Sequence, residues 1–126
     1  MKYDHFTFNK APELPGIYKL VYTGDGRIYI GATRNLRKRF KEHSKCWYSQ
    51  QWKLNLCKEF SEHESTSLSE VYKQLAKLFQ YEVLELFDKD VLPALINNAE
   101  AKYLSLHSPD FNHKQMNGRY FVGYKD

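Results

Sequence analysis

A small α/β domain of the α+β kind, with a three-stranded antiparallel sheet flanked by helices, is predicted by three features of this 126-residue chain. Two runs of strand formers, Ile17 to Tyr22 and Arg27 to Ile30, flank a Gly24-Asp25-Gly26 turn and read as a hairpin. A third alternating run covers Tyr81 to Phe87. Between and after these strands, apolar residues recur at helical spacing.

Taken in order, the first 13 residues show little pattern beyond Tyr3, Phe6 and Phe8, which fit a short strand or an arm against the core. Pro15-Gly16 punctuates the start of the hairpin, and Gly24 to Gly26 tolerate the positive φ that a reversal needs. Gly31 is expected to end the second strand and Thr33 to cap a helix with Leu36 and Phe40 on its buried stripe. Trp52, Leu56 and Phe60 predict another helix, with Trp47 and Tyr48 before it; these rings are either core or stacking platforms for bases. Ser67-Leu68-Ser69-Glu70 has the form of a capping box ahead of a stripe at Leu68, Val71, Tyr72, Leu75, Leu78 and Phe79. After the third strand and an Asp88 to Asp90 turn, Asp90 is the expected cap of a last helix. Pro93 is tolerable in its first turn, and its stripe is Leu92, Leu95, Ile96, Ala99 and Tyr103. Ser108-Pro109-Asp110-Phe111-Asn112 closes that helix, and Gly118 to Val122 fit an edge strand or a packed tail. All of this reads as one domain over residues 1–126, with a core over about 14–113, a short N-terminal arm and a C-terminal tail.

Composition narrows the class. A 42% hydrophobic, 16% aromatic chain is globular. The start MKYDHFTFNK has no apolar signal region and no run reaches membrane-spanning length, so the expected location is intracellular, cytoplasmic or nucleoid-associated, and not secreted. Cys46 and Cys57 suit neither a disulfide framework nor a metal quartet and read as reduced, non-catalytic thiols. Between Arg27 and Lys53, eight Lys or Arg face one acid, Glu42. That is +7 locally against +4 for the whole chain, a patch suited to a polyanion or to a solvated basic helix.

The chemistry gathers in the same stretch. Arg39 and His43 are four residues apart and so share a helix face. Tyr18 and Tyr29 sit one on each hairpin strand, where their hydroxyls meet one pocket if they point to the same sheet face. A guanidinium braces phosphate oxygens with its fork, and an imidazole moves a proton near neutral pH. With Gly16-Ile17-Tyr18, then Tyr29-Ile30-Gly31 eleven residues on, then Arg39 and His43, the chain resembles the GIY-YIG nuclease superfamily.

The resemblance implies a Mg²⁺-dependent DNA endonuclease, a phosphodiester hydrolase, with Mn²⁺ able to substitute. It implies Glu100 as the single protein ligand of the metal, since the family carries a glutamate on the helix after the third strand. Glu82, Glu85 and Asp90 are rivals in sequence but match that pattern less well. Arg39 would stabilise developing charge, Tyr18 would position water or phosphate, and either Tyr29 or His43 would serve the general base. Arg34, Lys38 and Asn112 are the candidate substrate contacts, with Asn112 able instead to satisfy the turn backbone. Two departures stand out: no histidine occurs between His43 and His63, where homing enzymes of the family carry a second one, and Ala32 follows Gly31 where relatives often have Ser or Lys. His63, His107 and His113 lack metal-site partners at the usual spacing. The alternatives are a catalytically weak or inactive nucleic-acid-binding module, or a nuclease active only as a homodimer or with a partner that supplies specificity.

Overall fold

The computed structural model describes residues 1–63 and 66–112. Strands β1 (Lys2–Tyr3), β2 (Gly16–Tyr22), β3 (Ile28–Thr33) and β4 (Phe79–Leu86) form one antiparallel sheet in the spatial order β1-β4-β2-β3. This corrects the three-strand expectation. The added strand β1 sets Lys2 opposite Glu82 and Tyr3 opposite Tyr81, and two residues are too few to show a period. The β2–β3 turn reverses at Gly26, whose φ of 85° favours glycine, and its N–H donates to the Tyr22 carbonyl at 2.8 Å. β3 runs on past Gly31 to Thr33, because Gly16 lies opposite Thr33 in the ladder.

Four helices follow: α1 (Leu36–Lys45), α2 (Gln51–Glu59), α3 (Leu68–Ala76) and α4 (Pro93–His107). Asn35, not Thr33, caps α1, its side chain accepting from the Lys38 N–H at 3.1 Å. Ser67 makes no side-chain cap bond at α3. That helix stops at Ala76, so the stripe drawn through Leu78 and Phe79 breaks: the Leu78 carbonyl accepts from Thr23, and Phe79 opens β4 opposite Tyr22. At α4 the N-cap is Leu92 rather than Asp90, and Pro93 occupies the first helical position, where its missing N–H is harmless. Leu92 and Leu95 are exposed; the buried face is Ile96, Ala99, Glu100 and Leu104.

Alternation along the strands divides the core in two. Tyr18, Leu20 and Tyr22 point to the side of α1, α2 and α3, joining Phe40, Trp52, Leu56, Tyr72, Phe79 and Tyr81. Ile17, Ile30 and Ala32 point the other way, under Ile96, Ala99 and Leu104 of α4. The outer edge of β3 is covered by the segment after α4. Phe111 N–H donates to the Ile28 carbonyl at 3.0 Å, Asp110 accepts from Ile28 N–H at 3.1 Å, and the Asn112 amide bonds Ile30 N–H and C=O at 2.8 and 2.7 Å. Asn112 thus imitates a strand backbone and blunts an edge that would otherwise pair with another chain. Residues 118–122 and His113, assigned to a tail and a solvent-facing histidine from sequence, lie outside the described residues. No helix among the described residues is long and apolar enough to cross a membrane.

Candidate active site

β2 and β3 present their tyrosines to one side, because Tyr29 stands opposite Leu20 and Tyr18 opposite Gly31. The two rings are 6.2 Å apart between centroids, so the tyrosines do share one face of the sheet and pack together. Tyr18 can lie there only because residue 31 is a glycine: a Cβ at that position would come 2.4 Å from the Tyr18 hydroxyl oxygen. From α1, the His43 ring enters beneath, and its Nε2 shares a 2.5 Å hydrogen bond with Tyr18 Oη.

His43 is 1% exposed and packs against Tyr18, Tyr29, Trp52 and Tyr81. Burial, with the charges of Lys53 and Arg39 nearby, holds its pKa well below the ordinary histidine value, so the ring is neutral. Burial likewise pushes the Tyr18 phenol well above its ordinary value, followed by the influence of Tyr29, so Tyr18 keeps its proton. A neutral imidazole is thus bonded to a protonated phenol, both of them 1% exposed. The backbone of His43 is itself held, its carbonyl accepting from the buried Tyr72 hydroxyl.

Tyr29 sits nearer the surface. Burial raises its pKa and the Glu100 carboxylate adds to this, while a hydrogen bond from Gln50 and the Arg39 charge act the other way. Gln50 Nε2 donates to Tyr29 Oη at 2.8 Å, and Gln50 Oε1 accepts from Trp52 Nε1 at 2.8 Å. Trp52, one of the ambiguous aromatics, is therefore core: its ring lies between Tyr29 at 5.2 Å and Phe111 at 4.6 Å, near parallel to both. Tyr48 is exposed and meets Trp47 edge-on.

The Arg39 side chain on α1 is only 15% exposed, and its guanidinium pairs with Glu42 at 3.0 Å. Arg39, Lys38 and Arg34 line a cleft of about 310 Å³ with Thr33, Asn35 and Glu42. Arg34 donates to the carbonyl of Val91 at 3.1 Å, tying that cleft to the β4–α4 connection. Lys38 is exposed at its rim. Asn112 is placed differently from a substrate contact, its amide being taken up by Ile30. Ala32 packs into the apolar layer under α4, so its side chain does not enter the cleft.

Glu100 is 5% exposed on the buried face of α4, and its charge reaches both Tyr18 and Tyr29. No group of three His, Cys, Asp or Glu able to cage a metal occurs among the described residues. A hydrated Mg²⁺ keeps most of its waters and needs one or two protein oxygens, which a single carboxylate supplies. Asn97, three residues earlier on α4, has a buried Oδ1 with no hydrogen-bond partner, a second hard oxygen within about one helical turn of Glu100 in sequence. The donor set therefore fits such an ion.

Sequence reasoning missed four residues here: Gln50, Trp52 as its anchor, Asn97 and Lys53. Lys53 is 1% exposed, its ammonium held by the Cys46 carbonyl and Ser49 Oγ between the Trp52 and Tyr72 rings. Burial lowers its pKa to about 7. Between about pH 7 and the ordinary lysine value near 10.5 the unfolded chain binds a proton that the folded chain lacks, so stability should rise with pH in that window. Below pH 7 both states carry the proton and the full penalty of burying it applies. The slope should approach about 1.4 kcal/mol per pH unit at most. Urea unfolding at pH 7 and pH 9.5 checks this; the slope should vanish in Lys53→Met, and a slope that survives there assigns it to another group.

Three of the eight cations of the basic stretch, Arg27, Arg37 and Arg39, are ion-paired within the molecule. Arg27 forks onto Glu59 at 3.0 and 2.7 Å and also bonds Asp25, Arg37 pairs with Glu13, and Arg39 with Glu42. Lys38, Lys41 and Lys45 remain exposed on α1.

Against known proteins, the family model described as the GIY-YIG catalytic domain matches residues 14–90, more than half of the chain. Among solved structures, the fold is similar to a variant of the catalytic domain of the intron endonuclease I-TevI, at 20% identity and a TM-score of 0.49, over 85% of this chain and 91% of that one. No curated protein matches.

Proposed function

The chain belongs to the GIY-YIG catalytic domain family, a nuclease family, and from that membership and the pocket's geometry we propose that it is a metal-dependent DNA endonuclease hydrolysing phosphodiester bonds. One observation carries this reading: the motif tyrosines Tyr18 and Tyr29 lie 6.2 Å apart between ring centroids with the His43 ring packed on both, and His43 Nε2 shares a 2.5 Å hydrogen bond with Tyr18 Oη.

In this mechanism Arg39, Lys38 and Arg34 draw the phosphodiester into the cleft, and the Arg39 fork meets the charge that develops on its oxygens. Glu100, with the Asn97 amide oxygen three residues earlier on α4, would hold a hydrated Mg²⁺, or Mn²⁺ in its place, which would screen phosphate charge and ease ionisation of water. Tyr29 takes the proton of the attacking water, since it is the phenol nearer solvent. His43 and Tyr18 are both too deeply buried to meet that water directly; His43 fixes the Tyr18 hydroxyl, and the Tyr18 ring packed against Tyr29 helps to set the position of the phenol that does meet it. A buried phenol is scarcely ionised at neutral pH, so cleavage should climb as pH rises.

The test is cleavage of supercoiled plasmid, linear duplex, flap, branched and single-stranded DNA, with Mg²⁺ or with EDTA, by the wild type and Arg39→Ala. Cleavage that needs Mg²⁺ and falls about 10²- to 10³-fold in the variant, with DNA binding changed only a few-fold, is the expected result. No cleavage of any substrate, with binding intact in both proteins, would leave a nucleic-acid-binding module. The internal neutralisation of Arg27, Arg37 and Arg39 favours a second reading, in which a second copy or a partner protein supplies part of the grip on DNA. Under it, wild-type cleavage rises steeply with protein concentration or on adding the partner.

A further inference from the structure

Three side chains form a chain of hydrogen bonds whose direction is forced by chemistry. Trp52 Nε1–H can only donate, so the Gln50 atom 2.8 Å from it is the amide oxygen. The amide nitrogen then faces Tyr29, 2.8 Å from Oη, and an NH₂ group can only donate. Tyr29 Oη is therefore the acceptor in that bond, and its own proton points away from Gln50. The reverse orientation of the amide would set two donors against each other at Trp52.

Each link is held in place. The Trp52 ring is clamped between Tyr29 and Phe111, and Phe111 is tied to the edge of β3 through its N–H on the Ile28 carbonyl. Gln50 is the N-cap residue of α2, with extended backbone at φ −148° and ψ 145°. The loop behind it is stapled by Lys53, which bonds both the Cys46 carbonyl and Ser49 Oγ, and by Ser49 Oγ on that same carbonyl. The amide thus meets Tyr29 in one place with one polarity.

We propose that Gln50 is a positioning residue for Tyr29: locked by Trp52, its amide directs the phenol proton away from itself and donates to the phenolate left when that proton departs. The inference rests on the nuclease reading for its catalytic meaning, and on the hydrogen-bond polarity alone for its physical content. The proton balance is simple. Tyr29 first loses its proton to solvent; the phenolate then accepts one proton from the water whose oxygen bonds phosphorus, and the departing sugar oxygen leaves with the electron pair of the broken P–O bond. Gln50 gains and loses nothing, since it stabilises the ionised phenol by donation.

A measurement independent of cleavage separates the two claims. With tyrosines labelled at ¹³Cζ, and the Tyr29 resonance identified by its loss in Tyr29→Phe, the Tyr29 titration midpoint is read by NMR in wild type, Gln50→Ala, Gln50→Glu and Trp52→Phe. Loss of the donor in Gln50→Ala should raise the midpoint by about one pH unit, and the pH at which cleavage reaches half its maximum should move with it. Gln50→Glu keeps the size of the side chain, replaces the donor by a negative acceptor and should raise both further. Trp52→Phe keeps a stacked ring but frees the amide to turn, and should give an intermediate shift. Midpoints within about 0.3 unit of wild type in both Gln50 variants, or a wild-type Tyr29 that does not ionise below pH 11, would overturn the proposal. A shifted midpoint in a protein that cleaves nothing would keep the positioning role and overturn the nuclease reading. Cleavage whose pH profile ignores Gln50, with an unshifted midpoint, would do the reverse.

Discussion

Glu100→Gln should abolish cleavage, with a loss of at least about a thousandfold, while leaving the chain folded. The substitution is nearly isosteric and removes only the charge. Glu100 is 5% exposed, so its carboxylate pays a desolvation cost that the neutral amide escapes. Its field also opposes ionisation of Tyr18 and Tyr29, so on purely electrostatic grounds its loss would favour phenolate and speed a reaction that needed only a base. The two expectations have opposite signs, which makes the variant decisive. A large loss of rate in a variant that stays folded, together with weakened metal binding, assigns the carboxylate to the metal. Retained cleavage would remove Glu100 from the chemistry. The family match ends at residue 90, so this role rests on the placement of α4 and not on the matched segment. Metal binding followed by calorimetry should weaken in step, and Asn97→Ala should weaken it less, since an amide oxygen carries no charge.

The hairpin, α1 and the two tyrosines were legible because each is written in local spacing: a turn between two strand runs, and a stripe at i and i+4. Boundaries were less so. The apolar stripe of α3 continues through Leu78 and Phe79, and nothing local says that Thr23 captures the Leu78 carbonyl and that Phe79 pairs with Tyr22. Of the stripe expected for α4, Ile96 and Ala99 are buried, yet Leu92 and Leu95 are exposed and Glu100 and Leu104 turn inward beside the former pair. Gln50 was invisible for a different reason. Its partner Tyr29 is 21 residues away, and a glutamine in a polar connection looks like solvent-facing polarity until the aromatic stack is assembled. The pairing of two cations in the basic stretch was hidden in the same way, since the acids that meet Arg27 and Arg37 come from the hairpin turn, α2 and the N-terminal segment, outside the run itself.

Gly31→Ala should destabilise the protein by about 3 kcal/mol or more, lowering its melting temperature by roughly 10 °C. Backbone preference argues the other way, because alanine loses less freedom than glycine in a strand, an advantage of about 0.5–1 kcal/mol. Sterics decide the sign. The new Cβ would lie 2.4 Å from Tyr18 Oη, 2.5 Å from Cζ and 2.9 Å from Cε1. A flexible surface ring would swing aside, but Tyr18 is 1% exposed, held by His43 at 2.5 Å and edge-on to Phe40 at 5.3 Å. Moving it breaks that hydrogen bond and leaves a buried imidazole without its partner, which adds a further 1–3 kcal/mol to the overpacking. The tyrosine and the glycine are therefore one device: the bare backbone of β3 makes the slot, and the ring of β2 fills it opposite the pairing Tyr18↔Gly31. A double-mutant cycle tests this directly. Tyr18→Ala alone should be costly, but adding Gly31→Ala to it should cost little or even stabilise, because the ring that the methyl would strike is gone. Strictly additive effects would show that the two positions act apart and that the slot is incidental.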